Sequence, residues 1–381
     1  MDQALKNRLV GELQALAAAD STAMAETELF KNVADYLDPD LAQREIDTLF
    51  RTLPTAVGHQ TQIPEPGDYF TTDLAGTPLL VVRQDDGSIE AHLNVCRHRG
   101  ARVVEEATGS KRTFTCPYHA WTYGRQGDLV ATPEQQGFCG VDLSDRGLVS
   151  VLTEVRHGMI WVQLEGDSID VAAHLGPLDE ELFGYGLASW HEERVDEIEV
   201  DLNWKFIIDG FLELYHLPFL HAETVGGFIK MKPATFDALA DHSRLVGVRR
   251  SFDGDLLTAD PDTVDLLPHT VIIHNVFPNT IIVWQGGHFE IWSIVPHPTD
   301  ARRSRARASL LTPSAQDAVD RADFWDKNWK LLMDTVQHED YRVARGIQAN
   351  VTSGAQQQVV FGRNEPALQH FHRTLATRLA T

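Results

Sequence analysis

Cys96-Arg-His98 and, seventeen residues further on, Cys116-Pro-Tyr-His119 each contribute one thiolate and one imidazole. Thiolates suit iron that is already bonded to sulfide. Neutral imidazoles add no charge, so a cluster held by both types has a higher reduction potential than an all-cysteine one. The spacing predicts an electron relay in which Cys96 and Cys116 hold one iron of a [2Fe-2S] cluster and His98 and His119 hold the other. A zinc site is the alternative, but zinc fingers segregate cysteines and histidines into separate pairs, and here each segment mixes them.

A second group of metal-binding residue types lies further along. Residues 203–216 predict a helix whose apolar residues, Phe206, Ile207, Ile208, Phe211, Leu212, Leu214 and Tyr215, spread around its circumference, so it should be buried on all sides. Asp209, Glu213 and His216 nevertheless fall within an arc of about 60°. Burying ionisable groups is costly unless they are paired or bind a metal. Pro218 should end this helix at Leu217, and the break would let His221 swing back toward His216. Two imidazoles and one carboxylate make a facial site for non-haem iron. A long helix over residues 314–350 offers the carboxylate: Glu339 and Asp340 flank its apolar stripe by about 60° and 40°. Periodicity does not choose between them. Taken singly, either histidine reads as a satisfied core residue and Glu339 as solvated helix charge.

The elements that must position these groups are legible in outline. Residues 1–50 read as a helical segment without chemistry, with Leu9, Leu13 and Leu16 at helical spacing. Residues 51–165 change to short apolar runs at 78–82, 91–95, 113–115, 149–155 and 159–164, cut by Gly and Asp, which predicts a small all-β domain with both Cys/His segments in its loops. Residues 166–381 begin with a polar, acidic stretch to Glu199. A helix, strands at 269–276, 280–285 and 289–295, and closing helices at 314–350 and 364–379 follow. The fold class expected is α+β, the second domain being an antiparallel sheet backed by helices.

Composition narrows the function. The chain has 33 Lys and Arg against 55 Asp and Glu, a formal charge of −22, which argues against nucleic acid or an anionic membrane as partner. Near the cluster motif the balance reverses, with Arg97, Arg99, Arg102, Lys111, Arg112 and Arg125 against Glu105 and Glu106. Such a collar could steer an acidic electron donor or simply donate to backbone and cluster. Of three cysteines only Cys139 lies outside the motif, and it reads as an inert small residue. With no span of about 18 apolar residues and no basic, apolar leader, a cytoplasmic location is expected.

The residues CRHRG at 96–100, CPYHAWTYG at 116–124, NWK at 203–205, ELYHLPFLH at 213–221 and the ED pair at 339–340 resemble the α subunit of the Rieske non-haem iron oxygenases, the aromatic ring-hydroxylating dioxygenase family. The resemblance implies His216, His221 and Asp340 as ligands of a catalytic Fe(II), and Glu213 as a bridge to the cluster histidines of a neighbouring subunit. Asp209, where many members carry Asn, would support that bridge. It further implies a homo-oligomer, a head-to-tail trimer, and a reductase or ferredoxin that passes electrons from NAD(P)H. The reactants would be O2 and a small organic substrate. Many ring dihydroxylases carry Asp at the position of Glu213, whereas Glu is more reminiscent of the branch that oxidises quaternary amines. Aromatic hydroxylation and amine N-demethylation or C–N cleavage are therefore both expected readings. A pure electron carrier would need only the first domain, and a structural zinc protein would be colourless. Substrate contacts are expected from residues 225–236 and 269–295, with Trp284, Phe289 and Trp292 as core.

Overall fold

Leu79, Leu80, Val81 and Val82 follow one another without a polar residue and are buried on both faces of the strand Thr77–Arg83. Each such side chain contributes about 1.5–3 kcal/mol relative to exposure, so this strand anchors a seven-stranded antiparallel sheet. Its neighbours in order are Thr55–His59, Met159–Gln163, Ser150–Arg156 and Ile89–Leu93 on one side and Asp68–Leu74 and Thr108–Ser110 on the other. A smaller sheet combines Phe114–Thr115, Thr122–Tyr123 and Leu129–Ala131. The structure, a computed structural model, describes residues 1–380. Its contacts divide the chain into residues 50–174, which contain these sheets, and residues 1–49 together with those from 175 onward.

The larger unit is built on a second seven-stranded antiparallel sheet. The order is His191–Val200, Ser304–Thr312, Phe289–Pro296, Thr280–Trp284, Thr270–Val276, His242–Arg249 and Ile229–Leu239. The strand His191–Val200 lies in the stretch expected to be a polar connection. It is a sheet edge, where charges protect the backbone from unwanted pairing. Its acids are matched by the adjacent strand, with Arg305 2.7 Å from Glu199 and Arg307 3.2 Å from Glu192.

Two helix expectations need correction. The helix expected over residues 203–216 spans only Trp204–Phe211, capped by the Asn203 side chain on the Lys205 amide, and Leu212 leaves helical geometry. Pro218 lies in the first turn of a separate short helix, Leu217–Leu220, the position where a missing N–H costs nothing. Burial on all sides holds from Trp204 to Ile208, but Tyr215 is 52% exposed. The single helix expected over 314–350 is three, Ala315–Asp320, Ala322–Asp334 and Tyr341–Asn350, with a wider π turn at Thr335–Asp340. Such turns recur at functional sites.

The first fifty residues, read as carrying no chemistry, contribute to the interior of the larger unit. Their strand Leu29–Asn32 pairs with Gln358–Phe361. Glu45 accepts from Lys205 Nζ at 2.5 Å and from Trp204 Nε1 at 2.8 Å, all three side chains being buried. This tethers the start of the helix Trp204–Phe211.

Glu181, on the helix Pro177–Tyr185, ties that helix to the sheet through Arg244 and through His274 at 3.0 Å. Burial opposes its ionisation, but His274 and Arg244 outweigh burial and hold the carboxyl at about 2. A carboxylate depressed in the folded state adds stability above its unfolded pKa and loses it as pH falls toward the folded value. Glu181→Gln is therefore expected to lower unfolding free energy by roughly 3 kcal/mol at neutral pH. The gap from wild type should close between about pH 4 and pH 2. Urea denaturation across that range checks it; a constant gap would contradict it.

Candidate metal centres

The two Cys/His loops close in the same way. Cys96 N donates to Ala101 O and Gly100 N to Cys96 O; Cys116 N donates to Trp121 O and Ala120 N to Cys116 O. The fifth residue of each loop is left-handed, Gly100 at φ 80° and Ala120 at φ 55°. Glycine meets that demand freely, whereas Ala120 accepts some strain to keep the second loop equivalent to the first. Cys96 and Cys116 are buried among Leu80, Val82, Phe114, Trp121 and Tyr123. His98 is half-buried and His119 exposed, their rings 4.7 Å apart, with His98 stacked on Trp121.

The donor set fits a cluster whose cysteine side is dry and whose histidine side faces outward. Burial pushes the Cys116 thiol up and the neighbouring Cys96 adds to this, while the backbone amides of Tyr118 and His119 favour the thiolate. Tyr123 Oη lies 3.2 Å from Cys96 Sγ and accepts from the Arg97 amide at 3.0 Å. Hydrogen bonds to the sulfurs are one of the protein's means of setting a cluster's potential. The basic collar is largely occupied: Arg125 binds Asp85 and the Lys111 carbonyl, Arg97 the Gly147 carbonyl, Arg99 the Tyr118 hydroxyl, and Lys111 Glu106. That favours the structural alternative for most of these charges. Cys139, expected to be inert, is exposed.

In the larger unit His216, His221 and Asp340 converge. His216 Nε2 and His221 Nε2 are 3.1 Å apart, and Asp340 Oδ1 lies 3.6 Å from the first and 3.0 Å from the second. Metal bonds of about 2 Å at right angles separate donor atoms by about 3 Å, so these residues fit a three-ligand face. The histidines arrive from the end of one turn and the end of the short helix after Pro218. The acid arrives from the π turn.

Both imidazoles are oriented through their other nitrogen. Glu213 binds His216 Nδ1 and also accepts from the His216 amide at 3.1 Å; Glu339 binds His221 Nδ1 and accepts from Thr224 Oγ1 at 2.8 Å. A carboxylate on Nδ1 fixes the tautomer that leaves Nε2 free for metal. Glu339 and Asp340, between which periodicity did not choose, thus take different nitrogens of one ring. Burial lowers the His221 pKa, but Asp340 and Glu339 outweigh it and raise the value. This concentration of negative potential is what a bound cation would satisfy.

Asp209 points elsewhere than the expected common face suggested. It accepts from Tyr36 Oη at 2.6 Å and meets His372 Nε2 at 2.8 Å. Burial first, then Asp209, pushes the Tyr36 phenol well up. It still borders, with Glu213, His216 and Asp340, a hollow of about 270 Å³. Tyr36, His372 and Thr224 were not singled out from sequence, since nothing in their local spacing marks them. Glu339 was named from its place beside the apolar stripe as an alternative ligand, and the structure gives it the Nδ1 side of His221 instead.

A larger cavity of about 700 Å³ opens on the triad. Its walls include Val225, Phe228 and Ile229 from the expected segment 225–236 and Val271, Ile273 and Val283 from the expected strands. Trp284, Phe289 and Trp292 are buried core and do not line it.

Residues 187–381 match the family Ring hydroxylating alpha subunit (catalytic domain), and residues 54–151 match the Rieske [2Fe-2S] domain. The chain belongs to the ring-hydroxylating alpha-subunit family. The chain is 34% identical over 187 residues to the benzene 1,2-dioxygenase subunit alpha of Pseudomonas putida, covering 48% of this chain and 42% of that one. It is 33% identical over 195 residues to the glycine betaine monooxygenase oxygenase subunit of Chromohalobacter salexigens, covering 51% of this chain and 44% of that one. The aligned part is thus less than half the length of these relatives. The chain shares its fold with a quaternary ammonium Rieske monooxygenase at a TM-score of 0.79 and 19% identity, covering 96% of this chain and 98% of the other. No helix among the described residues is long and apolar enough to cross a membrane.

Proposed function

We propose that the chain is the terminal oxygenase component of a Rieske-type system, hydroxylating a small organic, aromatic substrate with O2 and electrons that originate in NAD(P)H and arrive through a reductase or ferredoxin. The observation that carries this reading is the His216, His221 and Asp340 face opening on a largely apolar cavity of about 700 Å³, in a chain that also carries the Cys/His cluster loops. Cys96, His98, Cys116 and His119 would hold the cluster, and His216, His221 and Asp340 the Fe(II). When bound, the cluster supplies electrons singly and the iron, with positions left open by three protein ligands, supplies oxygen activation.

The chain's own side chains perform the rest. Glu213 and Glu339 hold the Nδ1 protons of His216 and His221 so that both Nε2 atoms face Asp340. The apolar walls seat the substrate and keep water from it. Glu213 lies both on His216 and on the border of the hollow shared with Asp209, which supports its role as the link to the cluster histidines of a neighbouring copy. That role requires a head-to-tail homo-oligomer, which we draw as a trimer in the cytoplasm. The glycine betaine monooxygenase relative and the glutamate at position 213 favour a second reading, N-demethylation or C–N cleavage of a quaternary amine.

The test is O2 uptake by the metal-loaded protein with a surrogate reductase, across aromatic acids, neutral arenes and quaternary amines, with 18O2 and mass spectrometry of products. Substrate-dependent uptake with 18O in the product is expected. Uptake that no substrate stimulates, from a protein with both centres loaded, would contradict the reading.

A further inference from the structure

Arg249 ends the strand His242–Arg249 on the wall of the large cavity. Its Nη1 donates to the Gln285 carbonyl at 2.9 Å. Nε and Nη2 donate to no protein acceptor among the described residues, and no carboxylate there lies within 4.0 Å of the guanidinium. Nε and Nη2 form the side-on fork that matches the two oxygens of a carboxylate. Gly286, at φ 82°, leaves this edge open: a β-carbon there would stand 3.4 Å from Arg249 Cδ and 3.7 Å from Nε.

The other charges around the cavity are compensated or exposed. Outside the triad and Glu213, the ionisable groups lining the cavity are Arg249, Arg321, Lys327, His288 and Glu290. Glu290 is engaged by His288 at 3.5 Å and by Gln285 Nε2 at 3.3 Å. Arg321 pairs with Asp317 at 3.5 Å and covers the Phe324 ring. With Glu213 and Asp340 the cavity carries three carboxylates against three cations, and Arg321 and Lys327 are exposed, so half-buried Arg249, with no carboxylate on its guanidinium, is the charge left to meet an anion inside. Burial lowers the Arg249 pKa while Glu290 acts in the other direction, so an entering carboxylate relieves a desolvated charge.

We propose that the cavity takes an organic carboxylate, its two oxygens on Nε and Nη2 of Arg249 and its apolar remainder filling the space toward His216, His221 and Asp340. This deepens the oxygenase reading and rests on it for the fate of the ligand. Two sources share that chemistry, an aromatic acid and a betaine-type quaternary ammonium carboxylate, and separate arms of one experiment distinguish them.

The experiment is calorimetric titration of the metal-loaded protein with benzoate, glycine betaine, benzamide and toluene, for wild type, Arg249→Lys and Arg249→Gln. Iron content, visible absorption and thermal midpoint are recorded on the same samples. At least one of the two carboxylates should bind wild type more tightly than the neutral pair. Its affinity should fall roughly 10- to 100-fold in Arg249→Gln and by less in Arg249→Lys, which keeps the charge but loses the fork. The thermal midpoint and visible spectrum confirm that each variant is folded. Carboxylate affinity unchanged in a folded Arg249→Gln, or neutral compounds bound by wild type as tightly as the acids, would overturn the anion site. Arg249-dependent binding in a protein that takes up no iron would instead uphold the site and overturn the oxygenase reading.

Discussion

Replacing Asp340 by alanine is expected to abolish binding of the mononuclear metal while leaving the visible absorption of the cluster unchanged, and to lower product formation by roughly 10³-fold or more. Asp340 is the only carboxylate in the converging set, 3.0 Å from His221 and 3.6 Å from His216. Without it two neutral imidazoles remain, too few donors to hold a divalent ion and with no negative charge to offset it. Glu339→Ala serves as the internal comparison. It removes the partner of His221 Nδ1 but no ligand, so iron affinity should fall only about 10- to 100-fold. Iron and acid-labile sulfide per chain, measured with the visible spectrum, check both variants. Equal effects of the two substitutions would reverse the roles assigned to these adjacent acids.

The second large effect is expected at Glu213. Glu213→Ala should retain the cluster and, at saturating iron, the mononuclear metal, yet reduce turnover by about 100-fold or more. The carboxylate fixes the His216 tautomer and borders the hollow that contains Asp209. Removing it therefore loosens one ligand and breaks the proposed path from a neighbouring cluster. Single-turnover product formation, started with a reduced cluster, is the readout. Normal yield from a protein with both centres loaded would remove Glu213 from that path.

Chemistry-bearing residue types were the most legible part of the sequence because metal sites use few residue types at constrained spacings. Cys96, His98, Cys116 and His119 sit in two loops of equal hydrogen-bond pattern, as expected of segments that share one cluster. Strands with continuous apolar runs, such as Thr280–Trp284, were equally plain. His191–Val200 was not, because an edge strand with acids matched across the sheet lacks apolar alternation. The helix carrying Asp209 was drawn too long because apolar residues continue past Phe211, and hydrophobicity alone does not show where a backbone leaves helical geometry. Ideal helical rotation brought both Glu339 and Asp340 to the right face but did not separate their roles, because the π turn that carries them departs from 3.6 residues per turn. Tyr36, Glu45 and His372 act across more than a hundred positions of sequence, and only the fold brings them to their partners.

The central claim is that one chain holds two different iron centres. Quantifying metals and acid-labile sulfide in anaerobically purified, iron-reconstituted protein tests it most directly. Three irons and two sulfides per chain are predicted, falling to two irons with sulfide unchanged when His216 and His221 are both replaced by alanine. Zinc in place of iron, or two irons per chain both before and after that double substitution, would contradict it.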